Sequence, residues 1–206
     1  MKNLLCLRHD TGNTRKMNYK KLLIQQYHMN GSAVVTDSSV IDTQASYNIA
    51  CQECPFKMLP ESKELPKREW YDEDGDDVYI PSDGLKFKAY DMEVKFIYVG
   101  TGYVKQDQTV VSKEQEMKEK VSAFIDFLYG RNTNGSPLLK IYDEYTLIGR
   151  QGIYVLSVDN DMMAYDDRNN NVIGIFKVKF RVTDPTTDVS LSLAPSTPPA
   201  DPVIGH

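Results

Sequence analysis

Cys51 and Cys54 are the first residues whose types and spacing could do chemistry, because they form a Cys-x-x-Cys pair. Such a pair supplies half of a zinc site or a redox centre. Structural zinc needs two further ligands, and the third cysteine and three histidines form no second closely spaced pair. A redox pair opens a helix, whereas Pro55 follows here in a segment rich in proline. We therefore predict two ordinary thiols, with no metal and no cofactor.

The acidic run 72–77, Asp-Glu-Asp-Gly-Asp-Asp, has the composition of a calcium loop. A loop of the EF-hand type needs glycine at position six and glutamate at position twelve. Counted from Asp72, those positions hold Asp77 and Asp83, so the pattern fails. The run is predicted to be a solvated acidic turn or a patch that meets a basic partner, and an irregular cation site stays open. The Asp- and Asn-rich run 159–171 is predicted to be a hairpin tip.

The sequence has no recognisable catalytic constellation. Its histidines are scattered at His9, His28 and His206, and it contains no nucleophile elbow, P-loop or dinucleotide-binding glycine motif. Carboxylates are plentiful, but carboxylates without a recognisable pocket do not indicate acid–base chemistry. We predict that the protein is not an enzyme.

Length and charge restrict the class of protein further. A chain of 206 residues is long enough for one sizeable domain with arms. The net charge of −5 argues against a nucleic-acid-binding surface spread over the protein. No apolar run approaches the roughly 20 residues that cross a bilayer, and the run Leu4–Leu7 is too short for a signal sequence. We predict neither nucleic-acid readout nor membrane insertion.

Charge is divided between two segments. Residues 1–21, the arm, carry six basic residues against one acid, a formal charge of +5. Residues 36–84 carry twelve acids against four basic residues, a formal charge of −8. Within them, residues 42–84 hold four prolines and few β-branched residues, which predicts an irregular excursion from the domain. Trp70 and Tyr71 lie in this excursion, and their types are enriched at protein interfaces. For Trp70, an interface or loop-anchoring role and ordinary core burial both stay open.

One amphipathic helix is predicted over Ser112–Tyr129. Ser112 with Gln115 three residues later forms a capping-box pattern, and Gly130 is placed to end the helix in the left-handed conformation. Apolar residues repeat at helical spacing and predict one core-facing stripe: Met117, Val121, Phe124, Ile125 and Leu128.

Most of the remaining pattern is that of antiparallel strands. Residues 85–99 alternate with a change of phase at Asp91, which predicts a long strand with a one-residue bulge. Other strands are predicted at 22–24, 33–41, 138–142, 153–158 and 172–182, the last two joined as a hairpin. The predicted domain is residues 22–185, and residues 186–206, rich in Ser, Thr and Pro, are predicted to form an extended, flexible tail. These elements predict a mainly β, α+β fold: an antiparallel β-sandwich or split barrel with one packed helix, a long excursion and extended termini.

The order of these parts resembles small tail proteins of long-tailed phages and prophages of gut Bacteroidales. The resemblance covers roughly residues 20–185 and is carried by residues 63–75, by the strand 85–99, and by the segments Phe124–Gly130 and Phe176–Val182. It extends more distantly to the distal tail proteins that cap the tail tube. It implies a non-catalytic structural protein of the virion tail, assembled in the bacterial cytoplasm.

The resemblance also implies partners. Subunits of this kind form homo-oligomeric rings, commonly hexamers, which contact neighbouring tail or baseplate proteins. Alternatives are a tail-terminator or neck protein of the same superfamily, and a soluble binding module that uses the Trp70 loop. The candidate subunit-interface residues lie in the two oppositely charged segments: Arg8, Arg15, Lys16, Trp70, Tyr71, Asp72, Asp74 and Asp76.

Overall fold

The computed structural model describes residues 21–69, 71–72, 74–100, 103–104, 110–132, 135–159, 163–166 and 172–193. The strands in this part of the chain are β1 (Leu22–Asn30), β2 (Ala33–Thr36), β3 (Ile41–Asp42), β4 (Ile49–Glu53), β5 (Lys67–Glu69), β6 (Asp76–Val78), β7 (Tyr90–Gly100), β8 (Tyr103–Val104), β9 (Val110–Val111), β10 (Leu138–Asp143), β11 (Ile148–Val158), β12 (Met163–Asp166) and β13 (Val172–Val182). The helices are α1 (Thr43–Tyr47) and α2 (Lys113–Leu128). No helix among the described residues is long and apolar enough to cross a membrane.

The core strands form one nine-stranded sheet, in the order β2-β1-β10-β11-β13-β7-β4. β3 pairs with β1 and β12 with β13, and every pairing in the sheet is antiparallel. The pairing of β11 with β13 is the one that the sequence pattern predicts. The mainly antiparallel α+β class is therefore confirmed, with all core strands in one sheet rather than two.

The sheet curls until its opposite edges come close together. β3 and β4 lie at opposite ends of the strand order, so in a flat sheet six steps of about 4.8 Å would separate them by about 29 Å. Only residues 43–48 connect them, and five of these form α1, which is about 7.5 Å long. The connection is too short to cross a flat sheet, so the strands follow the curvature of a split barrel that α1 bridges.

The core lies between one face of this sheet and α2. Even-numbered residues of β7 and β13 lie on the core face of the sheet, and all of them are buried. At the centre, the ring of Phe124 in α2 packs edge-on against Phe96 at 5.2 Å between centroids and lies 6.4 Å from Phe176. Phe96 and Phe176 stack at 5.5 Å across neighbouring strands. The alternating pattern of the sequence thus becomes one continuous apolar layer.

The bulge predicted at Asp91 is wrong. β7 begins at Tyr90, and its even positions keep to one face without interruption. Phe87, before it, pairs with Ser62 in a different strand pair. The change of phase therefore marks the junction of two strand pairs, and the register shifts lie elsewhere, between Cys51 and Glu53 for example.

The helix begins and ends as its sequence predicts. The Ser112 hydroxyl accepts a hydrogen bond from the Gln115 backbone N–H at 3.2 Å, and Gly130 has a φ of 68°. The Gln115 side chain donates to Glu119 instead of returning to Ser112, so only half of the capping box forms. Of the predicted stripe, Val121, Phe124 and Leu128 are buried, and Met117 and Ile125 are half-buried against the core. Phe127 and Glu116 are also buried, which the stripe does not predict.

The irregular excursion predicted over 42–84 is wrong for its first part. Residues 43–47 form α1, capped by the Asp42 carboxylate, which accepts from the Gln44 N–H at 2.8 Å. Residues 49–53 form β4, in which Ile49 and Cys51 are fully buried. Neither element has a strong local pattern of apolar residues in the sequence. Packing against the edges of the sheet stabilises them instead.

The tail predicted from residue 186 also starts differently. Residues 186–193 lie along the beginning of β11, where the Val189 N–H donates to the Gly149 carbonyl and Leu191 is buried. Asp188 forms an ion pair with the buried guanidinium of Arg150. Residues 194–206 lie outside the described residues.

Candidate functional site

A long hairpin extends from the sheet between β4 and β7; we call residues 61–88 the ribbon. Its base is held by two backbone hydrogen bonds of 2.7 Å, from the Lys63 N–H to the Lys86 carbonyl and from the Lys88 N–H to the Glu61 carbonyl. Its outer part is the antiparallel pair β5–β6, which forms a sheet of its own. The ribbon is thus a regular element whose described outer residues, in β5 and β6, are exposed on every position.

Lysines hold the ribbon in shape. Lys88 reaches Glu64 at 2.9 Å, and Lys67 lies between Glu69 at 2.7 Å and Asp76 at 3.1 Å. The hydrogen bond from Lys88 lowers the pKa of Glu64, and the hydrogen bonds to Glu69 and then Asp76 raise the pKa of Lys67. Water screens exposed pairs of this kind, so they orient the ribbon more than they stabilise the fold.

The tip carries acidic and aromatic side chains in water. Tyr71 is fully exposed, and Asp72 and Asp74 are exposed beside it. Neither aspartate has a lysine or arginine partner within the described residues. Asp76, by contrast, is held by Lys67. The structure therefore brings four of the predicted interface residues together at one place.

The other predicted interface residues lie outside the described residues: Arg8, Arg15, Lys16 and Trp70. The arm is represented by Lys21 alone, whose ammonium group lies 2.9 Å from Glu144 and 3.6 Å from Asp42.

Exposed apolar side chains accompany the acids, and they are not among the interface residues predicted from the sequence. Tyr79 and Ile80, directly after β6, are 67% and 66% exposed. Met58, Leu59 and Leu85 are also exposed around the base of the ribbon. The signal was present in the sequence, because Val78-Tyr79-Ile80 is an apolar triplet inside a charged segment that has no helical or strand periodicity. Several large apolar side chains exposed on one element typically mark a site of protein contact.

The remaining chemical candidates do not converge. No group of three or more potential metal ligands occurs among the described residues. His28 is exposed and lies 2.6 Å from Asp37 through its Nδ1 atom. Most of the run 159–171 lies outside the described residues, and its described part contains β12.

The Cys51–Cys54 pair lies at the end of β4 and not at the start of a helix. Cys51 is fully buried in the core cluster, and Cys54 is half-buried against that cluster. A buried thiol in apolar surroundings packs as a small hydrophobic side chain.

We expect the purified protein to carry no stoichiometric zinc, because Cys51 points into packed side chains. Elemental analysis of the unchanged chain measures this. A Cys54→Ala variant, which keeps the buried thiol, should match the unchanged chain in zinc content and melting temperature. One zinc per chain, lost in that variant, would contradict the prediction.

Comparisons with protein-family models, with curated proteins and with solved structures found no match to this chain.

Proposed function

We propose that this chain is a structural, non-catalytic subunit of a bacteriophage tail that assembles into a ring of identical copies at the end of the tail tube. The observation that carries the proposal is the ribbon. A curled sheet with a packed helix supplies a rigid body, and from it the ribbon holds Tyr71, Tyr79 and Ile80 in water. A monomer gains no stability from exposing such side chains, whereas an assembling subunit buries them against its neighbour.

The resemblance to small phage tail proteins supplies the class of assembly. A hexameric ring in the virion tail, in contact with other tail or baseplate proteins, is the form that this resemblance favours. A tail-terminator or neck position uses the same kind of subunit and remains the alternative within the class.

A second candidate is a soluble binding module, in which the same tip grips a peptide or small ligand. The fully exposed Tyr71 beside Asp72 and Asp74 favours it, because an aromatic ring next to carboxylates suits a basic ligand. The two candidates differ in what covers the ribbon, which is another copy in the first and a different molecule in the second.

Sedimentation velocity over a range of concentrations tests the ring. We expect discrete oligomers that electron microscopy shows as closed rings, and antibodies to the chain should label the tails of particles that contain it. A chain that stays monomeric at all concentrations, with unlabelled tails, would contradict the proposal and favour the binding module.

Two exposed apolar side chains provide a pair of variants. Tyr79→Ser in the ribbon should weaken oligomerisation, whereas Leu156→Ser, near the end of β11 and 42% exposed, should leave it unchanged. Equal effects of the two substitutions would show that the ribbon is not the contact surface.

A further inference from the structure

The ribbon has negative charge that its own lysines do not neutralise. Most of its other described acids are held in ion pairs, such as Lys86 with Asp83 at 2.6 Å and Lys88 with Glu64 at 2.9 Å. Asp72 and Asp74 at the tip have no such partner within the described residues. A partner that covers the tip therefore needs cationic groups.

The same partner must also cover apolar surface. Tyr71, Tyr79 and Ile80 lie within the segment that carries these acids, and all three are at least 66% exposed. A purely polar partner would leave these side chains in water. The matching chemistry is a basic peptide segment that also contains aliphatic residues.

The arm of this chain has that composition. It carries a formal charge of +5, and its three leucines, at positions 4, 5 and 7, precede most of its cations. In the sequence, Arg15 and Lys16 precede the first residue of β1, Leu22, by seven and six positions.

The topology places the origin of the arm and the ribbon at the same end of the sheet. β1 and β7 have the same direction, because four successive antiparallel pairings separate them. The arm leads into the start of β1, where Lys21 is held by Glu144, and the ribbon leads into the start of β7. An arm and a ribbon that leave the same end of the sheet can meet between neighbouring copies in a ring, in a head-to-tail contact.

We propose that the arm of one copy docks on the ribbon of its neighbour, with arm cations at Asp72 and Asp74 and arm leucines against Tyr79 and Ile80. This inference rests on the proposed ring. A contact within one chain is the less favourable arrangement, because exposed ion pairs there add little stability. Repeated around a ring, the same pairs direct association and set its register.

Charge reversal in the full-length chain tests the contact. One variant carries Arg15→Glu and Lys16→Glu, which reverses these two charges of the arm; a second carries Asp72→Lys and Asp74→Lys, which reverses the two charges at the ribbon tip. Each alone places like charges together, and its oligomers should dissociate at concentrations about tenfold higher or more. An equal mixture should assemble as the unchanged chain does, because each arm with reversed charges then meets a ribbon tip with reversed charges, and each unchanged arm meets an unchanged tip.

The controls separate charge complementarity from folding and from net charge. The chain with all four substitutions should assemble by itself, since its arm and ribbon are again complementary. Glu114→Lys with Glu119→Lys changes net charge as the ribbon variant does, but on the exposed side of α2, and should leave assembly unchanged. Circular dichroism of every variant checks that the fold is retained.

Each result has one meaning. Recovery on mixing supports docking between copies. Variants that assemble as the unchanged chain does, or that stay dissociated when mixed, overturn this inference and leave the ring intact. An unchanged chain that never assembles overturns the proposed ring and this inference with it.

Discussion

Replacing Phe124 by alanine is expected to lower the free energy of unfolding by about 3–5 kcal/mol, the usual range for a fully buried phenylalanine. Phe124 has no exposed surface, and its ring contacts Phe96 at 5.2 Å and Tyr47 at 5.4 Å between centroids. The substitution leaves a cavity where α2 meets the sheet, which the surrounding rings cannot fill without leaving their own contacts. Urea denaturation followed by circular dichroism measures the change.

Lys118→Ala is the matched control, because Lys118 is exposed on the same helix. Its unfolding midpoint should stay close to that of the unchanged chain, since alanine is a good helix former. A Phe124→Ala chain that unfolds with an unchanged midpoint and slope would show that the stripe of α2 is not core.

Replacing Gly130 by alanine is the second substitution with a large expected effect. Gly130 has a φ of 68°, a conformation that costs an L-residue about 1–2 kcal/mol. An added Cβ would also lie 2.5 Å from the Ser136 carbonyl carbon and 2.6 Å from the Pro137 nitrogen, both of them backbone atoms. Moving the backbone away adds about 1–3 kcal/mol, the usual cost of overpacking.

Gly84→Ala separates the two contributions. Gly84 also has a positive φ, of 87°, but nothing lies within 4 Å of its added Cβ. Its substitution should therefore show only the conformational cost, and Gly130→Ala should unfold at a lower urea concentration. Equal losses of stability in the two variants would mean that the contact with residues 136–137 relaxes freely.

Local pattern was sufficient to predict α2 because everything that defines it lies within 20 residues. The cap at Ser112, the spacing of Val121, Phe124 and Leu128, and the left-handed Gly130 are each encoded in short-range order. Phe127 lies beside the stripe in sequence and is buried all the same, because α1 packs there: its Tyr47 ring lies 6.2 Å from the Phe127 ring. That burial depends on a segment 80 positions away, so the local spacing of apolar residues does not predict it.

The same distinction explains Gln26. A polar residue inside an apolar strand is not expected to be buried, yet Gln26 is fully buried. Its side-chain amide donates hydrogen bonds to the Phe127 carbonyl at 2.6 Å and to the Asn132 side chain at 2.9 Å. It joins β1 to the end of α2 by hydrogen bonds across 101 positions of sequence. A buried polar group is stable only with such partners, and sequence pattern does not identify them.

By itself the sequence determined the antiparallel α+β class, the helix and its limits, and the separation of charge between the arm and the segment 36–84. Each of these depends on alternation, capping residues or composition, which act over short distances. Only the tertiary structure decided which apolar residues of that acidic segment are buried and which are exposed. Ile49 and Cys51 are buried because β4 pairs with the edge of β7, whereas Tyr79 and Ile80, which are just as apolar, stay in water because β6 pairs only with β5. Burial in this segment depends on whether a strand of the main sheet pairs with it. β7 pairs with β4, which contains Ile49 and Cys51, whereas β6, directly before Tyr79 and Ile80, belongs to a separate two-stranded sheet.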